Sequence, residues 1–133
     1  GLMGGDRISN GAFCTSHAHD HHNILIIGSN KSDMQKAFKQ VLSLKGGMCV
    51  VSEGNIMASL PLPVGGIISE APMHELTADV KAIQNSLSKL GLKHANPIMS
   101  LCTLTLPVSP ELKITDKGLI DVTQSKIVSL IVE

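Results

Sequence analysis

The sequence contains no tryptophan, no tyrosine and only two phenylalanines, so it provides no aromatic platform on which nucleic-acid bases would stack. It has no net charge either, because eleven Lys and Arg balance eleven Asp and Glu, whereas a surface that follows a phosphate backbone needs a basic surplus. A nucleic-acid polymer is therefore not an expected partner. No apolar run approaches the ~18 residues of a membrane helix, and no signal peptide is visible, so no membrane partner is expected. Cysteine is scarce: Cys14, Cys49 and Cys102 are odd in number and far apart, and lie in apolar, strand-like runs. They lack the CxxC spacing of a zinc site and read as buried, reduced thiols, which points to a cytoplasmic protein.

What is present describes a globular chain. Of its 133 residues 43% are hydrophobic and 17% charged, enough apolar material for one core without disulfides and too much for disorder. Residues 1–10 are rich in glycine and polar residues and read as a loosely held lead-in, with one domain over 11–133.

The order of elements is readable from Ala12 onward. Ala12 to Ser16 is short and apolar, and Ile24-Leu25-Ile26-Ile27 is an unbroken aliphatic run, the pattern of an interior strand buried on both faces. Apolar residues at Met34, Ala37, Phe38, Val41 and Leu42 predict a helix, with Ser29 or Asn30 as N-cap and a glycine of Gly46-Gly47 as its stop. Met48 to Ser52 and Ile56 to Leu60 flank Glu53-Gly54-Asn55 and predict a hairpin, ended by Pro61-Leu62-Pro63. Met73, Leu76, Val80, Ile83, Leu87 and Leu90 repeat at three and four residues after Pro72, as one helical stripe facing a sheet. Ile98 to Leu106 reads as a further strand, followed by short extended pieces at Leu112 to Thr115 and Ile127 to Val132. The expected fold is α/β, a single compact domain with a mixed β-sheet flanked by helices.

Between the first two strands lies Ser16-His17-Ala18-His19-Asp20-His21-His22-Asn23, which holds four of the six histidines. Imidazole binds metal and carries protons near neutral pH, and an aspartate ligates metal or fixes an imidazole tautomer. This corner is where chemistry or ligand binding is expected first. His17-Ala18-His19 looks like the His-x-His pair that amidohydrolases place at the end of their first barrel strand. A complete (β/α)8 barrel takes roughly 250 residues, so this chain does not contain one. In an extended segment His17, His19 and His21 share one face and Asp20 and His22 the other, which rules out a single tight site using all five. His74 and His94 have no such company. Ser69 and Glu70 read as capping residues before the second helix, and Asp116 and Asp121 as turn residues.

Three ordered segments resemble the C-terminal domain of the adenine deaminases of the amidohydrolase superfamily. His19-Asp20-His21-His22-Asn23 before an aliphatic strand resembles that family's His-Asp-Ser-His-Asn. Leu60-Pro61-Leu62-Pro63-Val64-Gly65-Gly66-Ile67-Ile68-Ser69 resembles its Leu-Pro-Leu-Pro-Ile-Ala-Gly-Leu-Met-Ser. Leu106-Pro107-Val108-Ser109-Pro110-Glu111-Leu112-Lys113-Ile114-Thr115-Asp116-Lys117-Gly118 is similar to its Leu-Pro-Val-Ile-Pro-Glu-Leu-Lys-Leu-Thr-Asp-Arg-Gly. The chain departs from the pattern with His21 for serine, with His17 for a small or aliphatic residue and with Gly65 for alanine.

The resemblance implies a part of an enzyme of purine salvage that converts adenine and water to hypoxanthine and ammonia. It implies a divalent metal (manganese, iron or zinc) held mainly by a barrel elsewhere in the same polypeptide, so the catalytic centre is expected outside this chain and the isolated chain is expected to be inactive. His19, Asp20, His22, Asn23 and Ser69 become candidates to line the substrate pocket or to support residues that do, with His19, Asp20 and His22 as an auxiliary metal site and His17 and His21 peripheral. The barrel, adenine and further copies of the protein are the expected partners. The alternative is an independent module that binds a small ligand or metal at the His17–His22 corner.

Overall fold

The computed structural model describes residues 7–18 and 23–130. Its elements run β1 (Ala12–Thr15), β2 (Leu25–Gly28), α1 (Lys31–Ser43), β3 (Gly47–Ser52), β4 (Asn55–Pro61), α2 (Met73–Lys89), α3 (Pro97–Cys102), a 3₁₀ turn (Thr103–Thr105), β5 (Leu112–Thr115), β6 (Gly118–Asp121) and β7 (Lys126–Val128). Strands β2-β1-β3-β4 form one sheet and β5-β6-β7 another. The fold is α/β with no closed barrel, as expected.

The expected mixed sheet is instead antiparallel at every pairing in both sheets. The reason lies in the order of the strands. β2, α1 and β3 do form a strand–helix–strand unit with strands running the same way, but β1 inserts between them and opposes both. The reading of Ile24 to Ile27 as an interior strand is also corrected, because β2 is the edge strand and Ile24 lies outside it, 41% exposed. An aliphatic run reports apolar neighbours on both faces of a strand, and in β2 Ile26 packs against the core under α1 while Ile27 packs against the other core. It says nothing about how many neighbouring strands there are.

The interior strands are β1 and β3, and the pleat sends their alternate residues to two cores. Ala12, Cys14, Cys49 and Val51 meet Ala37 and Val41 of α1 on one face. Phe13, Met48 and Val50, with Ala58 and Leu60 of β4, meet Ile83 and Leu87 of α2 and Leu90 at its C-cap on the other. The stripe of α2 is therefore buried at its C-terminal half, while Met73 at its start stays in solvent. Ile8 belongs to the same core, and the Ser9 N–H and hydroxyl both donate to Leu90 O at 2.8 Å. These residues of the supposed loose lead-in are held, because a buried isoleucine and a paired backbone tie them to the end of α2.

Local signals explain the element boundaries. The Asn30 side chain accepts from Asp33 N, capping α1 as anticipated. Its stop is not a glycine: Lys45 adopts φ 59°, and Lys45 N–H to Leu42 O with Gly46 N–H to Val41 O completes a Schellman motif. The β3–β4 hairpin turns on Glu53 and Gly54 at φ 51° and 72°, the conformation of a two-residue type I′ turn. The strand expected at Ile98 to Leu106 is instead α3 and the 3₁₀ turn. Asn96 accepts from Met99 N and Pro97 occupies the first helical position, and this N-terminal signature outweighs a short apolar run that fits either period.

Candidate functional site

The histidine corner is built from the ends of β1 and β2. As β1 finishes, Ser16 N–H donates to Gly47 O at 3.0 Å, while the Ser16 hydroxyl donates to Gly66 O at 2.6 Å and accepts from Gly47 N at 2.8 Å. One side chain thus joins the end of β1, the start of β3 and the glycine-rich connection after β4. Only glycine fits opposite it. A Cβ on Gly46 would lie 2.5 Å from Gly66 Cα, and one on Gly47 would lie 2.1 Å from Leu60 O. The next residue is held from two sides, since His17 N–H donates to Thr15 Oγ1 at 2.9 Å and the Cys102 thiol of α3 donates to His17 O at 2.9 Å. Ala18 is buried beside it.

The chain re-emerges at Asn23, which is exposed. Beside the corner lies an open groove of about 300 Å³, with Ser16 and Ile24 from the two ends of the histidine segment, Leu42 and Lys45 from the end of α1, and Gly65 and Gly66 from the connection. Its walls are aliphatic and glycine surfaces carrying one hydroxyl and one ammonium. That chemistry suits an apolar or weakly anionic group, and among the described residues it supplies no proton-transfer pair.

His19, Asp20, His21 and His22 lie outside the described residues. Ser69 is half-buried and accepts from Ala71 N at 3.1 Å; it shapes the turn before α2 without capping the helix, whose N-cap, Pro72, has no side-chain bond. His74 is exposed, its Nε2 3.8 Å from the Glu75 carboxylate, and His94 is exposed. Asp121 accepts from the Gln124 backbone and side chain in the β6–β7 turn, and Asp116 lies in the turn between β5 and β6.

Among the described residues no three His, Cys, Asp or Glu come together to hold a metal ion. The thiols do not offer themselves as ligands. Burial pushes Cys14, with Cys49 opposite it, up to about 12, and pushes Cys49 and Cys102 up to about 11, so all three stay protonated at neutral pH. The described residues therefore do not fit a metal centre. No described helix is long and apolar enough to cross a membrane.

Sequence reading missed the supports of the corner, chiefly Ser16 as a joint and Cys102 as an anchor. Their partners lie 50 and 85 residues away in the chain, and no local pattern encodes such distances.

Comparison with known proteins accords with this architecture. The chain is 52% identical over 132 residues to adenine deaminase 2 of Shouchella clausii, a match that covers 99% of the chain and 23% of the relative. It is 48% identical over 130 residues to the adenine deaminase of Clostridium perfringens and 40% identical over 131 residues to that of Moorella thermoacetica, in each case over 98% of the chain and 23% and 22% of the relative. The chain thus spans under a quarter of the length of these curated relatives. A family model described as the adenine deaminase C-terminal domain matches residues 1–126. With identity of this level over nearly the whole chain and a family match over residues 1–126, the chain belongs to the adenine deaminase C-terminal domain family.

Proposed function

We propose that the whole polypeptide hydrolyses adenine to hypoxanthine and ammonia in cytoplasmic purine salvage, and that this domain is accessory to the centre that does so. The observation that carries the reading is the near-complete coverage of this chain by relatives named adenine deaminase. The reading assigns the divalent metal mainly to the preceding part of the polypeptide. Within this chain, Ser16, Gly47 and Gly66 anchor the corner rigidly, and His19, Asp20, His22 and Asn23 are the side chains it presents to the substrate cavity or to residues lining it, His19, Asp20 and His22 also forming the auxiliary metal site. Ser69, which shapes the turn before α2, is the remaining pocket candidate. His17, whose backbone is pinned at both N–H and C=O, and His21 are peripheral.

The test is a comparison of full-length protein with the 133-residue chain, following loss of adenine absorbance and appearance of hypoxanthine. Full-length protein should turn over and the isolated chain should not; turnover by the isolated chain, or inactivity of metal-replete full-length protein, refutes the reading. Two substitutions then locate the role. Removing a group that orients a reacting partner costs ~10–100-fold, so His22→Ala should lower turnover on that scale with unchanged thermal stability, while His21→Ser, which restores the family residue, should be nearly silent. Equal, small effects of both would make the corner a structural turn. The free chain should also self-associate through the surface that the rest of the polypeptide covers, which light scattering across concentrations reads directly.

A further inference from the structure

The chain changes character after Cys102. Not one residue from Thr103 to Leu130 is buried, although this stretch carries the whole β5–β6–β7 sheet. The strand register sets Ile114, Leu119 and Val128 in one row, with Leu112 two residues along on the same face. Ile120 and Ile127 form a row with Lys113 on the opposite face. Leu112 is 53% exposed and Ile127 62%, so both faces present aliphatic side chains to solvent. A sheet that shows aliphatic side chains on both sides is one that sits between two layers, and three short strands become stable only with a hydrophobic face or a packed neighbour. Its outer edges on β5 and β7 have no neighbouring strand among the described residues, and open edges of this kind require cover. The four-stranded sheet is in the opposite condition, with α1 on one face and α2 on the other.

We propose that the β5–β7 sheet is the docking surface of this domain for the polypeptide that precedes it in the same chain, which packs on the Leu112, Ile114, Leu119 and Val128 face and wraps onto the Ile120 and Ile127 face. The relatives extend over more than three times the length matched here, and the matching family is described as C-terminal, so a large preceding segment exists to do this. A second copy related by a two-fold axis would cover one face and leave the other open. A covalently joined segment is also present at an effective concentration of about millimolar, which no separate partner matches. The inference rests on this chain being one domain of a longer polypeptide and is independent of which substrate that polypeptide uses.

The test uses full-length protein with the photoreactive residue p-benzoyl-L-phenylalanine in place of Leu112 and, in a second preparation, in place of Ile127. After irradiation, the expected product migrates at monomer size on a denaturing gel, with peptide mass spectrometry joining each position to segments preceding this domain. A dimer-sized product, or links confined to this domain, would overturn the proposal. Amide exchange in the unmodified full-length protein provides a second reading: β5 and β6 amides should exchange as slowly as those of β1 and β3, and exchange more than about a hundredfold faster would equally overturn it. Neither readout depends on turnover, so an enzyme that fails to deaminate adenine leaves the docking result intact.

Discussion

Replacing Asp33 should destabilise the domain more than any surface substitution, because this carboxylate locks α1 to the β3–β4 hairpin. Asp33 is 2% exposed. Its Oδ1 accepts from Gly54 N at 2.8 Å, and its Oδ2 accepts from Glu53 N at 3.2 Å and Asn30 Nδ2 at 2.8 Å, while Lys36 Nζ donates to Gly54 O alongside. A hydrogen bond to a charged group contributes about 1.5–3 kcal/mol. Three such bonds do not sum simply, since the hairpin tip is exposed and water would reach the freed N–H groups of Glu53 and Gly54. Asp33→Ala should therefore cost about 3 kcal/mol, with a small part of that from the lost charge at the α1 N-terminus. For a chain of this size the loss corresponds to a fall of about 10 °C in Tm.

The pH dependence separates this account from simple packing. The Asn30 amide, then the Gly54 and Glu53 N–H groups and the Lys36 ammonium, hold the carboxyl below its ordinary value of 3.8, against the opposing effect of burial. A carboxylate with a lowered folded-state pKa contributes stability that is fully present above the unfolded value and disappears as pH falls through the folded value. The wild-type chain should thus lose stability below about pH 4 by a component that Asp33→Asn lacks. With no Trp or Tyr to report by fluorescence, urea unfolding must be followed by far-UV circular dichroism. An Asp33→Ala cost below about 0.5 kcal/mol, within the ordinary range of surface substitutions, or identical acid profiles for wild type and Asp33→Asn, would refute the reasoning.

Ser16→Ala should cost about 1–3 kcal/mol, because it strands the buried Gly47 N–H and frees the part-buried Gly66 carbonyl; urea unfolding measures it, and a neutral result would deny Ser16 its joining role. Lys45→Gly should raise stability by up to about 1 kcal/mol, since a non-glycine residue at φ 59° is strained where a Schellman motif prefers glycine; a lower Tm would mean that the Lys45 side chain contributes more than its backbone costs. Native protein should show no thiol reactive toward a disulfide reagent at pH 8, and three on denaturation, given pKa values of about 11 and 12. Mild oxidants should not join Cys14 to Cys49 either. Ser16 N–H bonds Gly47 O, so alternation places Cys14 and Cys49, opposed in register, at a hydrogen-bonded pair with a Cα separation of about 5.5 Å, where side chains stand further apart than the ~3.8 Å between Cβ atoms of a disulfide. Fewer than three thiols in denatured, oxidised protein would contradict this.

Elements that close within a few residues were legible in the sequence. Ser29-Asn30 before the apolar pattern announced the start of α1, and Glu53-Gly54-Asn55 announced the hairpin, because a cap or a tight turn is complete in its own few atoms. The stop of α1 was misplaced by one residue only, for a comparable local reason: Gly46 beside it offered the easier left-handed position, and the chain used Lys45. Where neighbours along the sheet decide, the sequence was ambiguous. Ile24 to Ile27 carried the coverage of β2 on its two faces and not its place at the edge, and nothing in the α1 pattern told that β1 would slip between β2 and β3 and turn a parallel arrangement into an antiparallel sheet. Ile98 to Leu106 failed for want of length, six apolar positions serving a short helix as well as a strand until Asn96-Pro97 is weighed.

The candidate site divides along the same line. Its candidate chemistry, four histidines and an aspartate between residues 17 and 22, is concentrated in one segment and is displayed by the sequence itself. Its support is not, because Ser16 finds Gly66 and His17 finds Cys102 only after the sheet and α3 are in place. The corner is held rigidly at Ser16 and His17 by residues with no titratable role at neutral pH, while His19, Asp20 and His22 come from the segment that follows. On the accessory role proposed above, the domain supplies a fixed mount, its aliphatic tail sheet supplies an attachment, and the reacting centre is left to the polypeptide that precedes both. If the mount is what matters, Ser16→Ala in full-length protein should lower turnover through misplacement of the segment, with KM rising along with the loss of kcat and with partial recovery in Ser16→Thr, whose hydroxyl keeps the Gly66 bond. A Ser16→Ala enzyme that loses thermal stability but retains full turnover at low temperature would show instead that the corner holds the fold and nothing more.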